Sequence, residues 1–244
     1  MDPSATYPPL DTLKPIADRL WIVDSGPIRA FGITLPVRMT VVQLSDGALW
    51  LHSPTRYTAD LLAAMQRLGP VRHLVAPNIA HWTMLADWQR ACPDALTWAV
   101  PGLAKRPQLR LSSTRIDRVL GPKPPAAWRE TLSQGLLCGA MGYREAHFFH
   151  RASRTLILTD LVQNLEADKL PALSRWLLRM AGSTAPDGMA PAYLRLAVKA
   201  RRRAAAAAAR AMLSLAPERV IFAHGAWFEC EGTRRLRRAL RWLL

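Results

Sequence analysis

The feature that most constrains this chain is a change of hydrophobic period near residue 52. Before it, apolar residues come in short runs suited to strands: residues 20–23 (LWIV), 37–44 (VRMTVVQL) and 48–52 (ALWLH). The last two flank Asp46-Gly47, a strong hairpin dipeptide, so an N-terminal β-meander is expected. Beyond residue 52, helices and strands alternate. Thr58 is placed to cap a helix reaching about residue 68, with Leu61, Leu62, Met65 and Leu68 on one face and Gly69-Pro70 ending it. A strand over 71–76, a helix over 81–91 and a strand over 95–100 follow. Such alternation marks βαβ units and a layered α/β fold.

The remainder continues the pattern less regularly. Residues 101–133 are rich in Pro, Arg and Ser and read as loop with short elements. Strands are expected at 135–141, 145–150 and 155–160. From residue 170 the chain reads as helical, broken by the Gly/Pro-rich segment 182–191 and including six consecutive alanines at 204–209. A last core strand spans 219–224, and a basic helix spans 233–244. Residues 1–12 read as a flexible, Pro-rich leader and 13–244 as one domain.

Composition narrows the class. Half of the 244 residues are hydrophobic and 21% are charged, which suits a globular core and excludes a disordered chain, a collagen and a disulfide miniprotein. No apolar run approaches the roughly 18 residues of a membrane span. The first 20 residues lack the apolar stretch of a secretory signal. Cys92, Cys138 and Cys230 are odd in number and show no C-x-x-C spacing, which reads as reduced thiols in a cytoplasmic protein. The net charge is +15, with 28 of the 33 basic residues being Arg. The Ala/Arg richness is in keeping with a GC-rich bacterial genome. From residue 195 to the end, 12 basic residues face only 3 acidic ones, so most of the excess lies in the last fifth. Such a region can attract anionic lipid, nucleic acid or an acidic substrate.

Three polar residues stand where buried strands end: His81 after the 71–76 strand, Asp160 closing TLILTD, and His224 closing RVIFAH ahead of Gly225. In layered α/β folds strand ends open onto a shared cleft. Two imidazoles and a carboxylate can hold a divalent ion and leave a coordination position open. The same three residues can also serve as purely structural polar groups.

In order and interval, the meander, the Asn/His cluster after the 71–76 strand, LILTDLVQN and VIFAHG resemble the metallo-β-lactamase superfamily. More narrowly, LKPIADRLWIVD, RMTVVQLSDGALWLHSP, GPVRHLVAPN, FFHRASRTLILTDLVQN and VIFAHG resemble an uncharacterised branch of it, a domain of unknown function. The resemblance runs from about residue 13 to 244. It implies a four-layer αββα sandwich with added C-terminal helices and an edge site where two metals generate a hydroxide nucleophile. The superfamily motif H-x-H-x-D-H, set with its final His on His81, places Ala76, Asn78 and Ala80 where two His and an Asp belong. The third-His motif falls near Gly142 on a non-ligand. The bridging aspartate matches Asp160, and the last histidine matches His224. A standard dinuclear site is therefore excluded, and His81, Asp160 and His224 remain for one ion.

Other residues have paired readings. His52 can act as a fourth ligand or catalytic proton carrier, or anchor a loop. Asn78 can contact substrate or shape a turn. His147 and His150 lie three apart on a strand, so at most one reaches the cleft, and His73 reads as structural. The cationic helices, the last with an apolar stripe of Leu236, Leu240 and Leu243, either pack on the sandwich or meet a peripheral membrane or other anionic partner. Nucleic acid is disfavoured, because the nuclease members need the ligands lost here.

Two functions follow. One is a metal-dependent hydrolase with a single Zn, Mn or Fe ion, with Asp160 and His52 as catalytic groups and Asn78 contacting a small ester- or thioester-like substrate. Non-haem iron chemistry is a minor branch. The other is a metal-free, non-catalytic binding or scaffolding descendant.

Overall fold

The computed structural model describes residues 6–30 and 32–244, with residues 172–174 described by their backbone alone. The meander and the βαβ units join into one seven-stranded sheet in sequence order: β1 (Lys14–Ala17), β2 (Leu20–Ala30), β3 (Ile33–Gln43), β4 (Leu49–His52), β5 (Val71–Ala76), β6 (Leu96–Ala99) and β7 (Arg118–Val119). Pairing is antiparallel from β1 to β4 and parallel from β4 to β7. A second sheet has four strands, β8 (Leu132–Cys138), β9 (Arg144–His150), β10 (Thr155–Ile157) and β11 (Arg219–Ile221), in the order β11-β10-β9-β8. Only β10 and β11 are parallel in it.

The helices are α1 (Ala59–Gln66), α2 (Leu85–Ala91), α3 (Pro107–Arg110), α4 (Ala172–Met180), α5 (Ala192–Lys199), α6 (Arg202–Ser214) and α7 (Gly232–Ala239). Leu61, Met65, Leu85 and Trp88 bury α1 and α2 against the first sheet, in a core shared with Phe148, Ile157 and Ile221 of the second. Leu194, Val198, Ala205, Ala209, Met212 and Leu236 bury α5, α6 and α7 against the second sheet. The result is the expected αββα sandwich. Thr58 caps α1 by accepting from the Leu61 N–H. Trp50, fully buried, meets Phe148 edge-on at 4.7 Å and ties the two sheets.

Several expectations need correction. The strand seen as the apolar run 20–23 extends as β2 through Gly26-Pro27 to Ala30, because a bulge between Ser25 and Ile28 absorbs the extra residues. The helix expected from residue 81 starts at Leu85. Asn78 holds the preceding turn, its Oδ1 accepting from the N–H groups of Ala80 and His81. Of the expected leader, residues 1–5 lie outside the described residues. Residues 6–12 are held down: Thr6 is buried, the Asp11 N–H donates to the Asp24 carbonyl, and Lys169 sits 3.7 Å from the Tyr7 ring centroid. The apolar stripe of the last helix, Leu236, Leu240 and Leu243, is consumed by the core. Cys92, Cys138 and Cys230 are free thiols. Among the described residues, no helix is long and apolar enough to cross a membrane.

His147 pairs with Gly135 across β8 and β9, and its ring occupies the space a Cβ there would need. Burial pushes its pKa down from 6.5 to about 4. The unfolded chain therefore binds a proton below pH 6.5 that the folded chain refuses until about pH 4. Stability should fall as pH drops through that window, by about 3 kcal/mol from this residue. Replacing His147→Leu should flatten this part of the acid slope in denaturant melts across pH 4–7, leaving the neutral-pH midpoint little changed.

Candidate metal centre

The ends of β4, β5, β10 and β11 meet at one edge of the sandwich, and there the chain collects its polar side chains. Asp160 is the hub. Its Oδ1 lies 3.1 Å from His224 Nε2, and its Oδ2 lies 3.3 Å from His81 Nε2. Asn78 Nδ2 donates to Oδ2 at 2.7 Å, and Gln163 Nε2 donates to Oδ1 at 3.2 Å. One ligand atom from each of His81, Asp160 and His224 can be chosen so that all lie within 4.8 Å of one another. The three residues read from strand ends are thus brought together.

Each imidazole is oriented from behind. His81 Nδ1 lies 2.7 Å from Ser53 Oγ, and His224 Nδ1 lies 2.7 Å from the Pro36 carbonyl. A carbonyl only accepts, so His224 Nδ1 carries the hydrogen. In neutral His224 the Nε2 lone pair then points at a carboxylate oxygen, a contact that becomes attractive only with a proton or a cation between them. Ser53 can donate or accept, so His81 is free in either tautomer.

A second carboxylate lies beneath the first. Glu145 on β9 is fully buried and accepts four hydrogen bonds: from the N–H groups of Thr159, Asp160 and Leu161, and from the Tyr143 hydroxyl at 2.5 Å. Burial and the Asp160 charge push its pKa up, while these donors pull it back. It fixes the loop carrying Asp160. Burial also opposes ionisation of Asp160, but the two imidazoles outweigh it and hold its pKa well below the usual range. For His81, burial opposes charging, and the Asp160 charge and hydrogen bond win, so its pKa is raised.

His224 is set by a close backbone approach. Asn164 N–H donates to the His224 carbonyl, and Ala226 N–H donates to the Asn164 carbonyl. Gly225, at φ +95°, lies so near that a Cβ would sit 2.2 Å from the Asn164 carbonyl oxygen. Arg38 braces the same turn, donating to the carbonyls of Phe222 and Gly225 while paired with Asp24 at 2.7 Å.

The site floors a cavity of about 800 Å³. Its walls are the β2–β3 hairpin (Ile28, Ile33, Leu35, Val37), Trp82 and Met84, and the helical segment carrying Leu177, Leu178 and Tyr193. Apart from His81, Asp160 and His224, no ionisable group other than the Tyr193 phenol lines it among the described residues. Burial, then the Asp160 and Glu145 charges, push that phenol up to about 12, so it stays protonated.

Two expected site residues stand elsewhere. His52 is not among the cavity residues: it is buried between the sheets, stacked on Trp50 at 5.7 Å, with Nε2 3.4 Å from Thr159 Oγ1. It is not part of the ligand cluster, and burial, then His81, push its pKa down to about 3, so it is uncharged at neutral pH. Asn78 is fully buried with both amide atoms committed, so it positions Asp160 rather than touching substrate. His150 bonds Ser153, and His73 accepts from Trp98, both away from the site. Sequence reasoning missed Glu145, Tyr143, Gln163, Ser53 and Tyr193. For Gln163 the only sign was its place just after Asp160 in TDLVQN.

The donor set suits a divalent ion. Tetrahedral zinc with bonds of ~2.0–2.1 Å puts ligand atoms about 3.3 Å apart, close to the two His–Asp distances above. Asn78 and Gln163 each occupy one lone pair on Asp160, leaving one on each oxygen.

This sandwich, with a candidate metal-binding His/Asp/His group at its strand ends, has the metallo-β-lactamase fold. It is similar to a metallo-β-lactamase from Pontibacter korlensis, 14% identical over 95% of this chain and 97% of that one, with a TM-score of 0.65. The mono-zinc form of metallo-β-lactamase FIM-1 from Pseudomonas aeruginosa is 15% identical over 95% of this chain and 94% of its own, with a TM-score of 0.59. Rubredoxin oxygen:oxidoreductase from Desulfovibrio gigas is 16% identical over 95% of this chain but only 60% of its own, with a TM-score of 0.65. No curated protein matches the chain. The chain belongs to the family described as a domain of unknown function, DUF4336, whose model matches residues 17–208.

Gly225→Ala should force the Asn164 strand away and displace His224. The expected loss is about 2 kcal/mol or more of stability, measured by denaturant melts.

Proposed function

We propose that this chain is a hydrolase holding one divalent ion on His81, Asp160 and His224 and acting on a small ester- or thioester-like substrate with an apolar body. The observation that carries the reading is the His224 geometry: its Nδ1–H is committed to Pro36, so its Nε2 lone pair meets the Asp160 carboxylate where a cation would sit. The chemistry such an ion supplies when bound is Lewis-acid polarisation of a carbonyl and acidification of a water. The chain's own groups do the rest. Asn78 and Gln163 hold the carboxylate, and Ser53 and Pro36 hold the imidazoles. The apolar walls exclude water and orient the substrate body. The Tyr193 phenol lines the cavity and, in this reading, belongs to the substrate side of the site.

A second reading keeps the fold without catalysis. What favours it is that Asn78 and Gln163, together with imidazolium donors, satisfy Asp160 without any ion.

Elemental analysis of tag-free protein, wild type beside His81→Ala/His224→Ala, separates the two. Near-stoichiometric Zn, Mn or Fe in the wild type and none in the variant supports the hydrolase. No metal after incubation with Zn, Mn and anaerobic Fe(II) leaves the non-catalytic reading. Asn78→Ala should weaken metal affinity about 10–100-fold, by freeing Asp160 to rotate. Tyr193→Phe should leave metal content unchanged and lower kcat on nitrophenyl ester substrates.

A further inference from the structure

Nine large apolar side chains are exposed among the described residues, and five of them lie on α4 and α5: Trp176, Leu177, Met180, Tyr193 and Leu196. Trp176, Met180 and Leu196 are 61%, 74% and 72% exposed. Residues 176 and 180 are one turn apart, as are 177 and 180, and 193 and 196, so each helix presents a contiguous apolar face. Leu177 and Tyr193 are exposed and also line the cavity, which places this face at the cavity mouth.

The surrounding charge has one sign. Between Lys169 and Pro217 there are nine basic residues and one acidic residue, Asp187. Arg179, Lys199, Arg201, Arg202 and Arg203 are exposed and in no ion pair among the described residues. An apolar helix face rimmed by Arg and Lys is the composition of an interfacial helix on an anionic bilayer. A second copy of the chain would oppose like charges across the contact, and a nucleic acid would leave five apolar side chains without a role.

We propose that the α4–α5 face docks on an anionic lipid bilayer, turning the cavity mouth toward the acyl layer. The docking stands apart from the metal chemistry. Only its consequence, that a substrate with an apolar chain enters from the membrane, rests on the hydrolase reading.

The test is cosedimentation of the full chain with vesicles of phosphatidylcholine alone or mixed with phosphatidylglycerol. Binding is expected to the mixed vesicles only, and it should weaken as salt rises. Trp176→Ser/Met180→Ser/Leu196→Ser should lower partitioning by about tenfold or more, and Arg179→Glu/Lys199→Glu should lower it as well. Leu111→Ser, at an exposed apolar residue outside this face, should bind as the wild type does. All variants should keep the wild-type melting midpoint. Absence of binding to the mixed vesicles would overturn the proposal, and so would full retention by the triple variant. A dimer in sedimentation velocity that the triple variant abolishes, without vesicle binding, would assign the face to self-association instead. Because the readout needs no turnover or metal, it can fail while the hydrolase reading stands, and the reverse.

Discussion

The fold's polar edge depends on the burial of one charge. Asp160 is held between two sheets, and an ionised carboxylate taken out of water costs several kcal/mol unless partners meet every lone pair. The partners come from four separate strand ends: Asn78 and His81 after β5, Gln163 after β10 itself, His224 after β11, with Ser53 after β4 bracing His81. Meeting that requirement fixes the relative positions of loops that share no sequence proximity. Glu145 extends the same logic one layer down, using its oxygens to gather three successive backbone N–H groups of the Asp160 loop. Asn78, which the superfamily resemblance aligns with a ligand position, is here a hydrogen-bond donor to Asp160.

The surroundings divide the labour. The polar floor is rigid because its supports are backbone carbonyls and buried side chains: Pro36 behind His224, and Arg38 braced across to Phe222 and Gly225. The walls are apolar and come from the β2–β3 hairpin and the segment around α4 and α5, outside the packed sandwich. A charged floor under apolar walls selects a ligand with a polar head and an apolar body. Exposed apolar residues of α4 and α5 and exposed Arg and Lys side chains surround the mouth of this cavity.

The layers, the alternation and the three converging residues were legible in the sequence, because strand ends and hydrophobic period are local signals. The α1 cap at Thr58 was legible for the same reason. What was not legible depended on tertiary partners. Glu145 reads as one of several polar residues in the strand EAHFFH, and nothing local says that the 159–161 backbone lies beside it. His52 looks like a site residue from its place after a strand, but the pleat turns it onto Trp50 and Thr159 in the interior. Of the long hairpin that walls the cavity only the apolar runs 20–23 and 37–44 are local signals, whereas the bulge that carries β2 on to Ala30 depends on pairing with β3. The last helix drew attention by its charge, yet its apolar stripe serves the core, and the exposed apolar face belongs to α4 and α5.

In the proposed hydrolase, His81 and His224 direct their Nε2 lone pairs at a shared cation position on Asp160. Imidazole nitrogen NMR during zinc titration of metal-free protein tests it directly. Both Nε2 resonances should shift together, saturating at one equivalent, while His224 Nδ1 keeps its hydrogen on the Pro36 carbonyl. Unchanged resonances under excess zinc, with His224 protonated on both nitrogens, would contradict it.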